Sequence, residues 1–242
     1  MSESSTWRLV LDERRDIYEF LQGLSMEQWE TASLCAGWRV RDVAAHLLVD
    51  EPVRELGLPY VIGRLILWGG DIDKANAWWV DRWHDRPVEQ LLDRWPDHLA
   101  IGPISRRGGP HNQLRAGVIH HQDMRRPLGM PRTIDSERLT GTLHAVLATA
   151  RGSGNLGSRQ RAAGLALRAT DLDWTWGAGP EVRGPAEAIL MSVAGRSIAL
   201  NELSGDGVDI LATRMPPNLP QGHKDGLRHN AGSGRALREE RL

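Results

Sequence analysis

Two separated stretches hold the side chains best suited to chemistry, WRVRDVAAH at residues 38–46 and HHQDMRRPLG at residues 120–129. Each sets an imidazole on a segment of helical pattern, and helices packed together can aim such groups at one metal ion. His46 is one turn from Asp42, Val43, Val49 and Asp50, on the edge of an apolar stripe, so it points into the protein or along its rim. A lone histidine in that position is also a common hydrogen-bonded core residue. His120 has Ala116, Gly117, Asp123 and Met124 as one-turn neighbours, and small residues leave space beside it. His121 is rotated by about 100° from His120, so one of the pair is expected to face inward. A catalytic zinc needs three protein ligands and an open position, and these residues supply two.

Other reactive groups lie close in sequence. Cys35 precedes the helix that carries His46, where a helix N-terminus could favour a thiolate, although packing is the simpler reading. Arg125 and Arg126, with Arg106, Arg107 and Arg115, either form a patch for an anionic ligand or make up a solvated charge run. The ten tryptophans read as packing residues, with Trp38 and Trp83 able to line a pocket.

The elements that must position these groups follow from periodicity. Val10, Ile17, Leu21 and Leu24 recur at helical spacing over residues 7–24. Ser25 and Gln28 form a capping box that starts a second short helix. Residues 38–50 form a helix with Val40, Val43, Ala44, Leu47 and Leu48 as its stripe and Asp42 in its first turn, limited by Pro52. The tryptophan-rich region that follows reads as one or two helices, and the run PISRRGGPHN at 103–112 as a loop. A helix through Leu114, Val118 and His120 ends near Arg126, before Pro127 and Gly129, and residues 134–151 give another with Leu139, Leu143, Val146 and Leu147 buried. This order of helices suits an up-and-down bundle.

Residues 152–158, GSGNLGS, read as a linker. Beyond it Leu165, Leu167 and Ala169 alternate as a strand, Trp174 and Trp176 share a face on a second, and residues 181–183 make a third. Pro185 and Gly195 bracket a helix, a shorter one reaches Leu203, and VDILA at 208–212 reads as a final strand. The domains expected are therefore a helical one at 1–151, a small α+β one at 159–215 and a flexible tail at 216–242.

A formal charge of -1 from 30 basic and 31 acidic residues gives no electrostatic reason to expect nucleic acid or a membrane surface as partner. One cysteine excludes an intrachain disulfide framework, the N-terminus lacks a signal-peptide core, and no apolar run reaches the roughly 20 residues of a membrane span. A cytoplasmic protein is expected.

Three motifs in order, SLCAGWRVRDVAAHL at 33–47, HHQDMRRPLG at 120–129 and LRATDLDWTWGAGPEVRGPAEAILMSVAGRSIALNELSGDG at 167–207, resemble the mycothiol-dependent maleylpyruvate isomerase family. The likeness runs to about Arg214. It implies a mixed fold, an N-terminal DinB-like up-and-down four-helix bundle followed by a small α+β C-terminal domain. It implies a divalent metal, typically zinc, on His46, on His120 and on a glutamate one turn before the latter, with mycothiol or a similar low-molecular-weight thiol as cofactor and a small electrophile as substrate. Arg196 matches the arginine of the family's AGR motif, which implies a role in catalysis. The glutamate position is Ala116. The chain thus resembles either a thiol-using isomerase or S-transferase, or a metal-poor relative that keeps the fold as a binding module.

Overall fold

The first apolar stripe becomes α1 (Glu3–Gln22), which buries Leu9, Val10, Ile17, Phe20 and Leu21. The computed structural model describes residues 2–148 and 157–216. Ser25 starts α2 (Met26–Glu30) through the expected reciprocal pair: its hydroxyl accepts from the Gln28 amide, and the Gln28 side chain accepts from the Ser25 amide. In α3 (Val40–Leu47) the whole predicted stripe is buried, and Asp42 accepts from the Arg39 amide at 2.9 Å. This helix is shorter than expected. Leu48 leaves the helical region at ψ 55°, and α4 (Glu51–Leu56) begins afresh with Pro52 in its first turn, where a missing N–H is harmless.

Four helices follow, α5 (Leu58–Leu67), α6 (Ile72–Trp83), α7 (Val88–Leu92) and α8 (Trp95–His98). Trp79, Trp83 and Trp95 are buried, and Trp79 Nε1 donates to the Ala45 carbonyl at 3.1 Å, which ties α6 to α3.

The run at 103–112 is helical, not the loop its Pro and Gly content suggests. It forms α9 (Pro103–Gly108) and the start of α10 (Pro110–Arg125), each with proline in the first turn. The reason lies far away in sequence. Asp50, fully buried, accepts from the amides of Ile104 at 2.7 Å, Ser105 at 3.0 Å and Gly102 at 3.2 Å, and so caps α9. A Cβ on Gly102 would lie 2.4 Å from the Asp50 carboxyl carbon, which explains the glycine. Replacing Asp50 by alanine should cost about 2 kcal/mol or more in urea unfolding, because three buried amides lose their acceptor. A loss below about 0.5 kcal/mol, the usual scale of a neutral surface change, would show that α9 does not need this cap.

After α11 (Ser136–Ala148) and α12 (Ser158–Ala162) the chain builds a three-stranded sheet from β1 (Ala166–Ala169), β2 (Thr175–Trp176) and β3 (Glu181–Gly184). β1 lies in the middle, antiparallel to β2 and parallel to β3, with Leu167 opposite both Trp176 and Val182. α13 (Ala186–Val193) follows Pro185, Gly195 turns at φ +94°, and a 3-10 helix covers Ser197–Glu202. The last element, α14 (Val208–Ala212), is a helix where alternation suggested a strand. The edge of β3 beside it is occupied: Ser204 already pairs with Arg183, and the Gly207 amide donates to the Glu181 carbonyl at 2.7 Å. The chain turns instead and buries Leu211.

α10 packs against α1, α3 and α11. One apolar cluster joins Leu9, Leu114 and Leu143 of these helices to Leu167, Val182 and Ile189 of the C-terminal part. A second gathers Ile17, Val43, Trp83 and Leu91 around α3. Most of the expected linker and tail lies outside the described residues. Among those described, no helix is long and apolar enough to cross a membrane.

Candidate metal centre

His46 stands in the last turn of α3, where unpaired carbonyls favour a cation. α10 lies alongside and brings His120 to it, the two rings 5.0 Å apart and edge-on at 89°. Trp38 packs against His46 at 5.0 Å. His120 is braced from behind. Its Nδ1 is 2.9 Å from Asp123 Oδ2, and Asp123 is wholly buried. The same carboxylate accepts from the Cys35 thiol at 3.1 Å and from Arg196 through Nε at 2.8 Å and an Nη at 2.5 Å. Burial alone would raise the Asp123 pKa, but the Arg196 guanidinium and the bonds from His120 and Arg196 hold it well below the usual carboxylate range. Asp123 is therefore an anion that accepts, so His120 donates to it through Nδ1–H and Nε2 is the ring nitrogen left without a protein partner.

Burial and then the nearby His120 push the His46 pKa down to about 3, so this imidazole is neutral, the form that binds metals. No hydrogen bond joins either His46 nitrogen, or His120 Nε2, to a described residue. Cys35 moves the other way: burial and the Asp123 carboxylate push its thiol pKa well up. The thiolate that a helix N-terminus could favour does not form here.

Residues 10–101 match the family model of the mycothiol maleylpyruvate isomerase N-terminal domain. Those residues are similar to that domain. A crystal structure of a mycothiol-dependent maleylpyruvate isomerase, a histidine-to-alanine mutant, is similar over 85% of this chain and 93% of that chain, with a TM-score of 0.55 at 13% identity. That likeness is one of fold. No curated protein matches the chain. The isomerase-family match holds His46 but ends before α10, so the case for His120, Asp123 and Arg196 is geometric.

The donor set fits a divalent cation in part. Two imidazoles from different helices present unengaged nitrogens, and a carboxylate fixes one of them. Position 116 offers only a methyl group, on the wall of a small cavity shared with His46. Other possible donors do not complete the set. Asp50 caps α9, Glu51 pairs with Arg54 at 2.7 Å, and His111 is exposed at the far end of α10. Cys35, His120 and Asp123 have ligand atoms within 4.8 Å of one another, but the Arg196 guanidinium already sits among them, 2.5 Å from Asp123 and 4.0 Å from the sulfur.

The structure also changes the reading of neighbouring residues. Both histidines of the pair face inward, to opposite sides. His121 is fully buried against α1, with Nδ1 2.9 Å from Glu13 Oε1 and Nε2 accepting from Arg125 at 2.8 Å. The arginines make no common patch: Arg125 lies 4.3 Å over Phe20, Arg126 pairs with Glu187 and Glu202, and Arg115 bonds Asn112. Arg196 does reach the centre, through Asp123. Cys35 is the member that sequence reasoning assigned to packing, since no spacing rule ties a loop cysteine to a helix 88 residues on.

Proposed function

We propose that this isomerase-family protein is a metal-dependent enzyme that turns a low-molecular-weight thiol, mycothiol or a close analogue, on an electrophilic small molecule. The reaction is isomerisation by reversible thiol addition, or S-transfer. The observation that carries the reading is the meeting of His46 and His120 at 5.0 Å with their outer nitrogens unengaged and His120 braced by Asp123. On this reading α1, α3, α10 and α11 form a DinB-like four-helix bundle, and the two histidines hold a divalent cation, zinc by donor type. Such a cation lowers the pKa of a thiol it contacts, which makes that thiol nucleophilic at neutral pH.

The chain's own groups have separate tasks. Asp123 keeps His120 in the tautomer that can bind a metal. Arg196 neutralises Asp123 and so acts as a positioning residue. Cys35 stays protonated and donates to Asp123, which leaves the attacking sulfur to the small thiol. Trp38 covers one side of His46 and limits its rotation.

Ala116 favours a second reading, a metal-poor module that binds a small ligand or a partner protein. Metal content separates the two. Protein made without added zinc and analysed by mass spectrometry should carry close to one zinc per chain, lost in His46→Ala and in His120→Ala. A chain that purifies empty and refuses added zinc is the module. Because residue 116 borders the same cavity as His46, Ala116→Glu should tighten zinc at least about tenfold.

A further inference from the structure

Helix α5 reads LPYVIGRLIL and buries none of its residues. At 100° per residue its half-buried side is Val61, Arg64 and Leu65. Arg64, the one charged residue of the helix, is folded down 4.7 Å over the Trp68 ring and 5.1 Å over that of Trp78. The opposite side is an arc of about 200° that carries Leu58, Tyr60, Ile62, Gly63, Ile66 and Leu67. The five large residues of that arc are 44–79% exposed, and no charged side chain interrupts them. A helix of ten residues is marginal alone in water and draws its stability from a packed apolar stripe, yet here the apolar residues face solvent. Soluble proteins rarely leave so continuous an apolar surface uncovered unless it is a contact site.

The face suits a second copy of this chain. In a twofold contact each residue near the axis meets its own copy, so a charge there would repel itself, and this arc carries none. Gly63 lies at its middle with open space where a Cβ would stand, so two backbones can cross closely there. An antiparallel crossing also sets the amino end of one helix beside the carboxyl end of the other, as their dipoles favour. The area suffices. At roughly 120 Å² of apolar surface per fully exposed side chain, the five present about 350 Å², and a twofold doubles that to about 700 Å². With the usual apolar share near 60%, the whole contact covers about 1,200 Å², above the roughly 1,000 Å² that a specific interface needs. Other occupants fit less well. A lipid surface selects basic residues beside the apolar ones, and here the one arginine is stacked inward while Asp71 and Asp73 follow the helix. Residues 217–242 of the chain itself hold four scattered leucines and no other large apolar side chain. We propose that α5 is a dimer face, on which two copies of this chain pair through Ile62, Ile66 and Leu67 about an axis near Gly63. This pairing is independent of the metal reading above.

The test is the mass of the full chain in solution, followed by analytical ultracentrifugation from about 1 to 100 µM, since a contact of this size is expected to hold in the micromolar range. The natural chain should reach twice the chain mass at the upper end. Ile66→Glu combined with Leu67→Glu sets like charges against each other across the axis and should weaken pairing at least about 100-fold. Both side chains are mostly in water in the single chain, 71% and 79% exposed, so the circular dichroism of this variant should match that of the natural chain. Gly63→Cys supplies a second measurement that leaves the apolar residues in place. Under mild oxidant it should become a covalent dimer, and the natural chain, whose one thiol is the half-buried Cys35, should not. A natural chain that stays single at about 100 µM overturns the proposal. So does a dimer that survives the two glutamates, because it pairs through another face. Gly63→Cys that stays single under oxidant removes α5 from the axis. Flotation with vesicles of phosphatidylglycerol and phosphatidylcholine, lost with the two glutamates and given by a chain that is single in solution, assigns the face to a lipid surface and rejects the dimer.

Discussion

Glu13→Ala should destabilise the fold by about 3–5 kcal/mol, the usual result of removing one partner from a buried ionic group. Glu13 is 1% exposed and accepts from Arg132 at 2.6 Å, Arg138 at 2.7 Å and His121 at 2.9 Å. Without it two guanidinium groups and an imidazole each lose an acceptor at once, and Asp16 and Gln122 are left to hold Arg138 and Arg132. The same carboxylate shapes the response to acid. Burial raises its pKa, but the His121 hydrogen bond and the Arg132 charge outweigh that and hold it at about 2, against an ordinary value of 4.5. The unfolded chain therefore takes up this proton first as pH falls. The stabilisation is complete above about pH 4.5 and disappears as pH drops towards 2, an amount on the order of 3 kcal/mol. Urea unfolding at pH 6 and pH 3 should show the loss in the natural chain and a shallower one in Glu13→Gln. Equal slopes would remove Glu13 from the acid transition.

Asp123→Asn should weaken zinc binding about 10–100-fold, the range found when a partner that orients a metal ligand is changed. Asparagine keeps the shape and an oxygen for His120 Nδ1–H but loses the charge that anchors Arg196. A change in general stability would not touch the tautomer of one ring, so nitrogen NMR of His120 is the deciding readout. In the natural chain the proton should sit on Nδ1, and in the variant the tautomers should mix. Unchanged zinc affinity in a folded Asp123→Asn protein would take this carboxylate out of the metal reading.

What could be read from the sequence was local. The capping box at Ser25, the stripe of α3, the first strand and the Pro185 to Gly195 helix depend on neighbours within a few turns, and they stand as expected. The two errors of element type have a common cause. At 103–112 the deciding group is Asp50, and at 208–212 it is the occupied edge of β3, both remote in sequence. The site divides the same way. His46 and His120 were visible as imidazoles on helices, and Asp123 was visible as a carboxylate one turn from His120. The link from Asp123 to Arg196 spans 73 residues and that to Cys35 spans 88, and nothing in periodicity encodes either. The burial of His121 beside His120 depends on Glu13, more than a hundred positions earlier.

Arg196 reaches out of the C-terminal part to a carboxylate of α10, and the apolar cluster of Leu114 and Leu143 continues into Val182 and Ile189. The C-terminal part and the His120 ring thus rest on the same carboxylate. Cutting the polypeptide after Ala148 would yield two fragments that each lack half of a shared interior, and it would part Asp123 from its guanidinium.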